Sequence, residues 1–220
     1  AIPSSLVGSE MCIRDRLPLF LQTVLKAYPK LVLEIEEMPT QQIIENLEKG
    51  TLDAGIAATP LDYEHIFEKP LYYEPFMVYA PTHSKLSKEK SIIAEMLKHE
   101  QVLLLQDGHC FRNSALNICK IKHEVPLPFE IKSGSFETLV QLAEEGLGIT
   151  LLPYLHTRKL SDKQQLNLKS FETPEPAREV SMIYHQHKLK LHIIEALHDK
   201  IRAIIRGAIV YEDIKIISPK

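Results

Sequence analysis

Leu31 to Ala58 reads LVLEIEEMPTQQIIENLEKGTLDAGIAA, and this stretch decides the fold. Leu31, Leu33 and Ile35 alternate with Val32, Glu34 and Glu36, a period of two that predicts a strand over Leu31–Glu37. Thr40 stands where a helix would start, Gln41–Glu48 supplies the helix, and Gly50 supplies its C-terminal stop. Leu52–Ala58 is a short apolar strand. Upstream, Leu17, Phe20, Leu21, Val24 and Leu25 recur at helical spacing over Leu17–Tyr28 until Pro29 stops them. A helix–strand–helix–strand order requires parallel pairing with right-handed crossovers, so the class is α/β.

Further out, Ala1–Arg16 (AIPSSLVGSEMCIRDR) carries no period that continues into the helix at Leu17. Its short apolar stretch precedes Arg14 and Arg16 rather than coming after a basic segment, unlike a signal peptide. Residues 1–16 are expected to be a leader, either disordered or an artefact resembling translated sequencing adapter, with structured chain from Leu17. Downstream, the apolar run Leu71–Ala80 ends at Pro81 and a second unit begins. It reads as helix Ile92–His99, strand Val102–Leu105, loop Gln106–His109, helix Phe111–Lys120 and strand Phe129–Lys132. Turn Ser133–Ser135, helix Phe136–Glu145 and strand Ile149–Leu152 come next. Strand Val180–Tyr184 comes after the polar, Pro-rich Phe171–Arg178. A tail helix over Lys190–Arg206 has Leu191, Ile194, Leu197, Ile201 and Ile204 on one face. The expected division is subdomain I, residues 17–80 with 185–220, and subdomain II, residues 81–184.

Composition narrows the function. The chain has 220 residues, 45% hydrophobic and 25% charged, with 26 Lys+Arg against 29 Asp+Glu. A net charge of −3 supplies no general attraction to nucleic acid, and the absence of Trp removes a common base-stacking residue. No run of about 18 apolar residues occurs, so no membrane helix is expected. Three cysteines are too few for a disulfide-stapled scaffold.

Two of those cysteines carry chemistry. Asp107-Gly108-His109-Cys110-Phe111-Arg112-Asn113 leads into a helix, and Cys119 lies beyond it. A thiol reacts as thiolate, which helix N-termini and neighbouring cations favour. Arg112 is a permanent cation and His109 a proton donor near neutral pH, while Gly108 permits close backbone approach. On one continuous helix, Cys110 and Cys119 would stand roughly 13 Å apart and face opposite ways, beyond the ~7 Å a disulfide spans. Pairing them would therefore unwind the helix and turn oxidation into a change of shape. The plainer alternative is that both are small buried apolar residues, Cys119 especially, flanked by Ile118 and Ile121.

From Leu17 to about Arg206 the chain resembles the regulatory domain of the OxyR-like, hydrogen-peroxide-sensing LysR-type transcription regulators. The matching residues are Asp107–Arg112, the nine-residue spacing to Cys119, Glu137-Thr138-Leu139, Gly148-Ile149-Thr150-Leu151-Leu152-Pro153 and Pro174-Glu175-Pro176. The Gly148–Pro153 element is general to LysR-type domains, whereas the Cys110 motif with its distant second cysteine is specific to the peroxide sensors. The resemblance implies two Rossmann-like subdomains joined by crossover strands, like a type II periplasmic binding protein. It makes Cys110 the peroxidatic thiol and Cys119 the resolving one, with Thr40, Gly108, His109, Arg112 and Asn113 around the peroxide. It implies a homodimer, a tetramer of the full-length cytoplasmic protein, DNA contact only through an N-terminal winged helix-turn-helix outside this chain, and RNA polymerase as a further partner. No cofactor, metal or membrane partner is implied, and the chain is not expected to be an enzyme. Two departures stand out. Asn113 replaces a common acidic residue, and a second family threonine before the first helix is unmatched.

Rival readings are a LysR-type domain binding a small organic effector between its subdomains, with structural cysteines, and, least favoured, a thiol peroxidase. His185, His187 and His192 fit no closed zinc pattern and read as a solvated polar face. Ser133-Gly134-Ser135 reads either as an anion-binding turn or as a helix N-cap by Ser135. Lys85, Lys88 and Lys90 read as a solvated loop cluster.

Overall fold

The computed structural model describes residues 2–9, 17–106, 110–119, 133–187, 190–206, 209 and 214–219. In chain order these form β1 (Ile2–Gly8), α1 (Leu17–Ala27), β2 (Leu31–Glu37), α2 (Thr40–Glu48), β3 (Ala54–Thr59) and β4 (Ile66–Tyr79). Next come β5 (Ser91–Ile92), β6 (Val102–Leu103), α3 (Cys110–Cys119), α4 (Phe136–Glu144), β7 (Ile149–Pro153), α5 (Tyr154–Thr157) and α6 (Asp162–Gln165). The series ends with β8 (Leu168–Phe171), β9 (Glu175–His185), α7 (Leu191–Arg206) and β10 (Ile214–Ile216). Short 3₁₀ turns occupy Lys85–Lys88 and Ala94–His99. The chain divides into two compact units, residues 1–73 with 179–210 and 220, and residues 74–178 with 211–219. Both boundaries fall inside long strands, β4 between Tyr73 and Glu74, and β9 between Arg178 and Glu179.

The first unit is built on a sheet in the order β2-β1-β3-β9. β1 pairs in parallel with β2 and with β3, so the two expected strands are parallel but separated by a third. That third strand corrects the expectation of a leader over Ile2–Gly8, while residues 10–16 lie outside the described residues. Ile2–Gly8 lies between two partners, with Leu6 and Val7 buried, because alternate sheet hydrogen bonds from both sides satisfy its backbone. β9 closes the sheet antiparallel to β3. All of β3 is buried, as a central strand covered on both faces must be. Against it lie Ile43, Ile44 and Leu47 of α2, with Met38, Leu52, Ile66 and Ile183. α7 buries Ile194, Leu197, Ile201 and Ile205, whereas the anticipated Leu191 is exposed and Ile204 only half-buried. The inward stripe thus drifts by one residue at the helix's end, as a 3.6-residue period demands.

The second unit carries β4 flanked by β7 and β8, both antiparallel to it, with β6 parallel to β7 and β5 parallel to β8. β10 pairs in parallel with Glu175–Ala177 of β9, so this part of the tail belongs here and not, as expected, with subdomain I. The stretch 92–99 is a strand end and a 3₁₀ turn rather than one helix. The expected strand Phe129–Lys132 lies outside the described residues. Gly148 opens β7 at φ +149°, and a Cβ there would strike the Gln101 carbonyl oxygen, which accepts the Ile149 N–H at 2.8 Å. Gly148→Ala should therefore lower unfolding free energy by about 2–4 kcal/mol, read by urea titration, because both backbone strain and a ladder hydrogen bond are involved.

Candidate functional site

The helix α3 begins at Cys110 and ends at Cys119 without interruption. Helix geometry fixes the relation of the thiols. At ~1.5 Å rise per residue their Cα atoms are about 13 Å apart, and at ~100° per residue their side chains leave opposite edges of the buried face. Phe111, Ser114, Ala115 and Ile118 fill the arc between them, all buried. Neither cysteine is joined in a disulfide. Ser114 Oγ donates to the Cys110 carbonyl at 3.3 Å, one turn back along the same helix.

The thiols differ in environment. Cys110 is buried but keeps 8% of its surface exposed. Cys119 is fully buried, and burial alone pushes its pKa up to about 12. It is a poor nucleophile as long as α3 stays wound.

The other expected site residues are divided between the two units. Arg112 is half-buried, and its Nη1 donates to the Leu105 carbonyl at 2.9 Å, bracing α3 to the segment after β6. Asn113 is exposed. Gly108 and His109 lie outside the described residues. Thr40 belongs to the first unit, as the first residue of α2 behind Pro39 at the cap position. Its hydroxyl does not cap the helix. Oγ1 is buried with no hydrogen-bond partner in the structure, a cost a protein rarely bears without use.

A group of residues unanticipated in the sequence underlies α3. The side chains of Arg178 and Glu74 are both wholly buried, and Nε and Nη2 of the guanidinium donate to Glu74 Oε2 at 3.0 and 2.7 Å. Glu74 Oε1 accepts the Leu155 N–H at 3.0 Å. The Arg178 Cζ stands 5.1 Å from the centroid of the Phe111 ring. Phe111 also meets Phe76 and Phe136, each at 4.9 Å between centroids, the latter edge-on. Phe136 continues to the buried His156 at 5.0 Å. The pair joins residues 104 apart in the chain, so no local pattern discloses it. A signal available in the sequence is Glu74, an acidic residue inside the otherwise apolar run Leu71–Ala80.

Among the remaining candidates, Ser135 Oγ accepts the Thr138 N–H and caps α4, which favours the capping reading of that turn. His185 and His187 have ring centroids 5.5 Å apart, and the His187 N–H donates to His185 Nδ1. Among the described residues no group of His, Cys, Asp and Glu is arranged to hold a metal ion, and no helix is long and apolar enough to cross a membrane.

Known proteins share this fold. Residues 5–205 match the LysR substrate binding domain. The chain is 30% identical over 191 residues to a Streptomyces viridosporus protein named "Probable hydrogen peroxide-inducible genes activator", covering 86% of this chain but 61% of that protein. Among solved structures, the reduced OxyR regulatory domain of Pseudomonas aeruginosa is similar at TM-score 0.80 and 28% identity, covering 96% of this chain and 98% of that one. OxyR from Porphyromonas gingivalis is similar at TM-score 0.88 and 25% identity, covering 98% and 99%. The chain thus spans about three fifths of the full regulator it matches and nearly all of the regulatory domains.

Proposed function

Because the chain belongs to the family of LysR substrate-binding domains, we propose that it is the peroxide-sensing regulatory part of an OxyR-like transcription regulator, switched by its own cysteine pair. The Cys110 sulfur attacks hydrogen peroxide. An S–O bond forms, the O–O bond breaks, and hydroxide leaves to become water, giving a sulfenic acid. Cys119 then attacks the sulfenic sulfur. An S–S bond forms, the S–O bond breaks, and a second water leaves, so the thiol pair has lost the two electrons that peroxide gained.

The observation that carries this reading is the uninterrupted helix on which both thiols lie. No disulfide fits that helix, so the second step must unwind it, and one covalent bond is converted into a local refolding. The deeply buried Cys119 acts second for the same reason: it becomes available only when α3 opens. Thr40 supplies an unpaired hydroxyl able both to donate and to accept, which suits peroxide. Gly108, His109, Arg112 and Asn113 complete the proposed peroxide-binding set. A sensor needs one oxidation per signal, which sets this role apart from that of a turning-over thiol peroxidase. In the whole regulator, operator contact falls to an N-terminal winged helix-turn-helix. Homodimerisation, a full-length tetramer, RNA polymerase contact and a cytoplasmic setting belong to the same reading.

Thr40→Val should slow peroxide-driven loss of the Cys110 thiol by about 10- to 100-fold, the weight of one hydrogen bond of roughly 1.5–3 kcal/mol to a developing charge. Stopped-flow mixing with thiol titration measures it. An unchanged rate would remove Thr40 from the site. If Cys110 and Cys119 both stay titratable after peroxide while a small organic molecule raises Tm, the domain is an effector binder and the switch reading fails.

A further inference from the structure

Resting on the disulfide reading above, we propose that Phe111 is a positioning residue that holds α3 wound and thereby sets the redox equilibrium of Cys110 and Cys119. Phe111 lies between the two thiols in sequence, inside the segment that must rewind whichever end moves. It also touches the buried ion pair. One side of its ring is met by the Arg178 guanidinium at 5.1 Å, and the Phe76 and Phe136 rings complete its surroundings at 4.9 Å each. Glu74 fixes the guanidinium through two hydrogen bonds of 3.0 and 2.7 Å, so the cation cannot follow the ring if the helix leaves. A cation held in a desolvated site attracts an aromatic face more strongly than one in water, and edge-on aromatic contacts add to this.

These contacts exist while α3 is wound. Every contribution that Phe111 makes to the reduced form is therefore subtracted from the stability of the disulfide form. Elsewhere a core residue stabilises both forms alike and leaves their balance unchanged. Arg112, donating to the Leu105 carbonyl, and Asn117 Nδ2, donating to the Ser218 carbonyl at 3.0 Å, tether α3 through exposed or half-buried polar bonds that water can replace. Phe111, packed against a fixed cation and two rings, is a tether that water cannot replace.

The test is thiol–disulfide equilibration of the chain in glutathione buffers of graded ratio, with the Cys110–Cys119 disulfide quantified by peptide mass spectrometry. Phe111→Leu should shift the equilibrium about tenfold toward the disulfide, lowering the reduction potential by about 30 mV for a two-electron couple. Phe111→Met, which keeps apolar volume but loses the ring, should fall between Leu and wild type. Val140→Ala, a core truncation in α4 outside the rewinding segment, should lower stability with a shift under twofold. If wild type forms the disulfide but both Phe111 variants shift it less than twofold, the anchor is overturned and the switch stands. If wild type forms no Cys110–Cys119 disulfide at any ratio, the switch itself falls, and the anchor with it.

Discussion

Replacing Cys110 by Ser should abolish the disulfide and cut the rate at which peroxide consumes the remaining thiol of the pair by at least about 10²-fold relative to an ordinary cysteine. The factor comes from the thiolate fraction of Cys119. With its pKa pushed up to about 12, only ~10⁻⁵ of it is thiolate at pH 7, against a few per cent for a free cysteine. Higher intrinsic nucleophilicity of a more basic sulfur returns about one to two powers of ten. Access through a wound helix reduces the rate further. The pH dependence has a definite sign: the rate at Cys119 should climb about tenfold per pH unit from 7 to 10 with no plateau, since its titration lies above that range. Alkylation and peptide mapping separate Cys119 from Cys12. A Cys119 that reacts in the Cys110→Ser chain as fast as a free thiol would contradict the assigned order of attack.

The second large effect concerns Glu74. Glu74→Ala removes the carboxylate that takes two hydrogen bonds from the wholly buried Arg178 guanidinium, together with the acceptor of the Leu155 N–H, and should cost about 3–5 kcal/mol in denaturant unfolding. Two charges desolvated together stabilise little relative to apolar groups of the same size, whereas one alone is severely unfavourable. The double replacement Glu74→Leu with Arg178→Met should accordingly lose less than either single one. If Glu74→Ala unfolds within about 1 kcal/mol of wild type, water or another group must reach Arg178, and the site beneath α3 is not dry.

Much of the fold was legible locally. The Leu31–Glu37 alternation and the apolar run before Thr59 yield their strands because each needs only its own period and a covering face. The thiol spacing yields a separation as soon as the intervening residues are helical. What escaped is non-local. β1 has too few apolar residues to stand out, and its place is fixed by two neighbours that pair with it. Thr40 looked like a cap, but Pro39 takes that position, which leaves the hydroxyl unbonded. The Glu74–Arg178 pair spans two strands far apart in the chain, and the Phe111 ring that meets it comes from a third element.

Peroxide should join Cys110 to Cys119 at the cost of the helix between them. One equivalent of hydrogen peroxide added to the reduced chain, with non-reducing digestion and hydrogen-exchange mass spectrometry as the readouts, tests both halves together. The expected result is a Cys110–Cys119 crosslinked peptide and loss of amide protection across residues 110–119, both reversed by reductant. A crosslinked pair with α3 still protected, or a protected α3 with Cys110 oxidised alone, would contradict it.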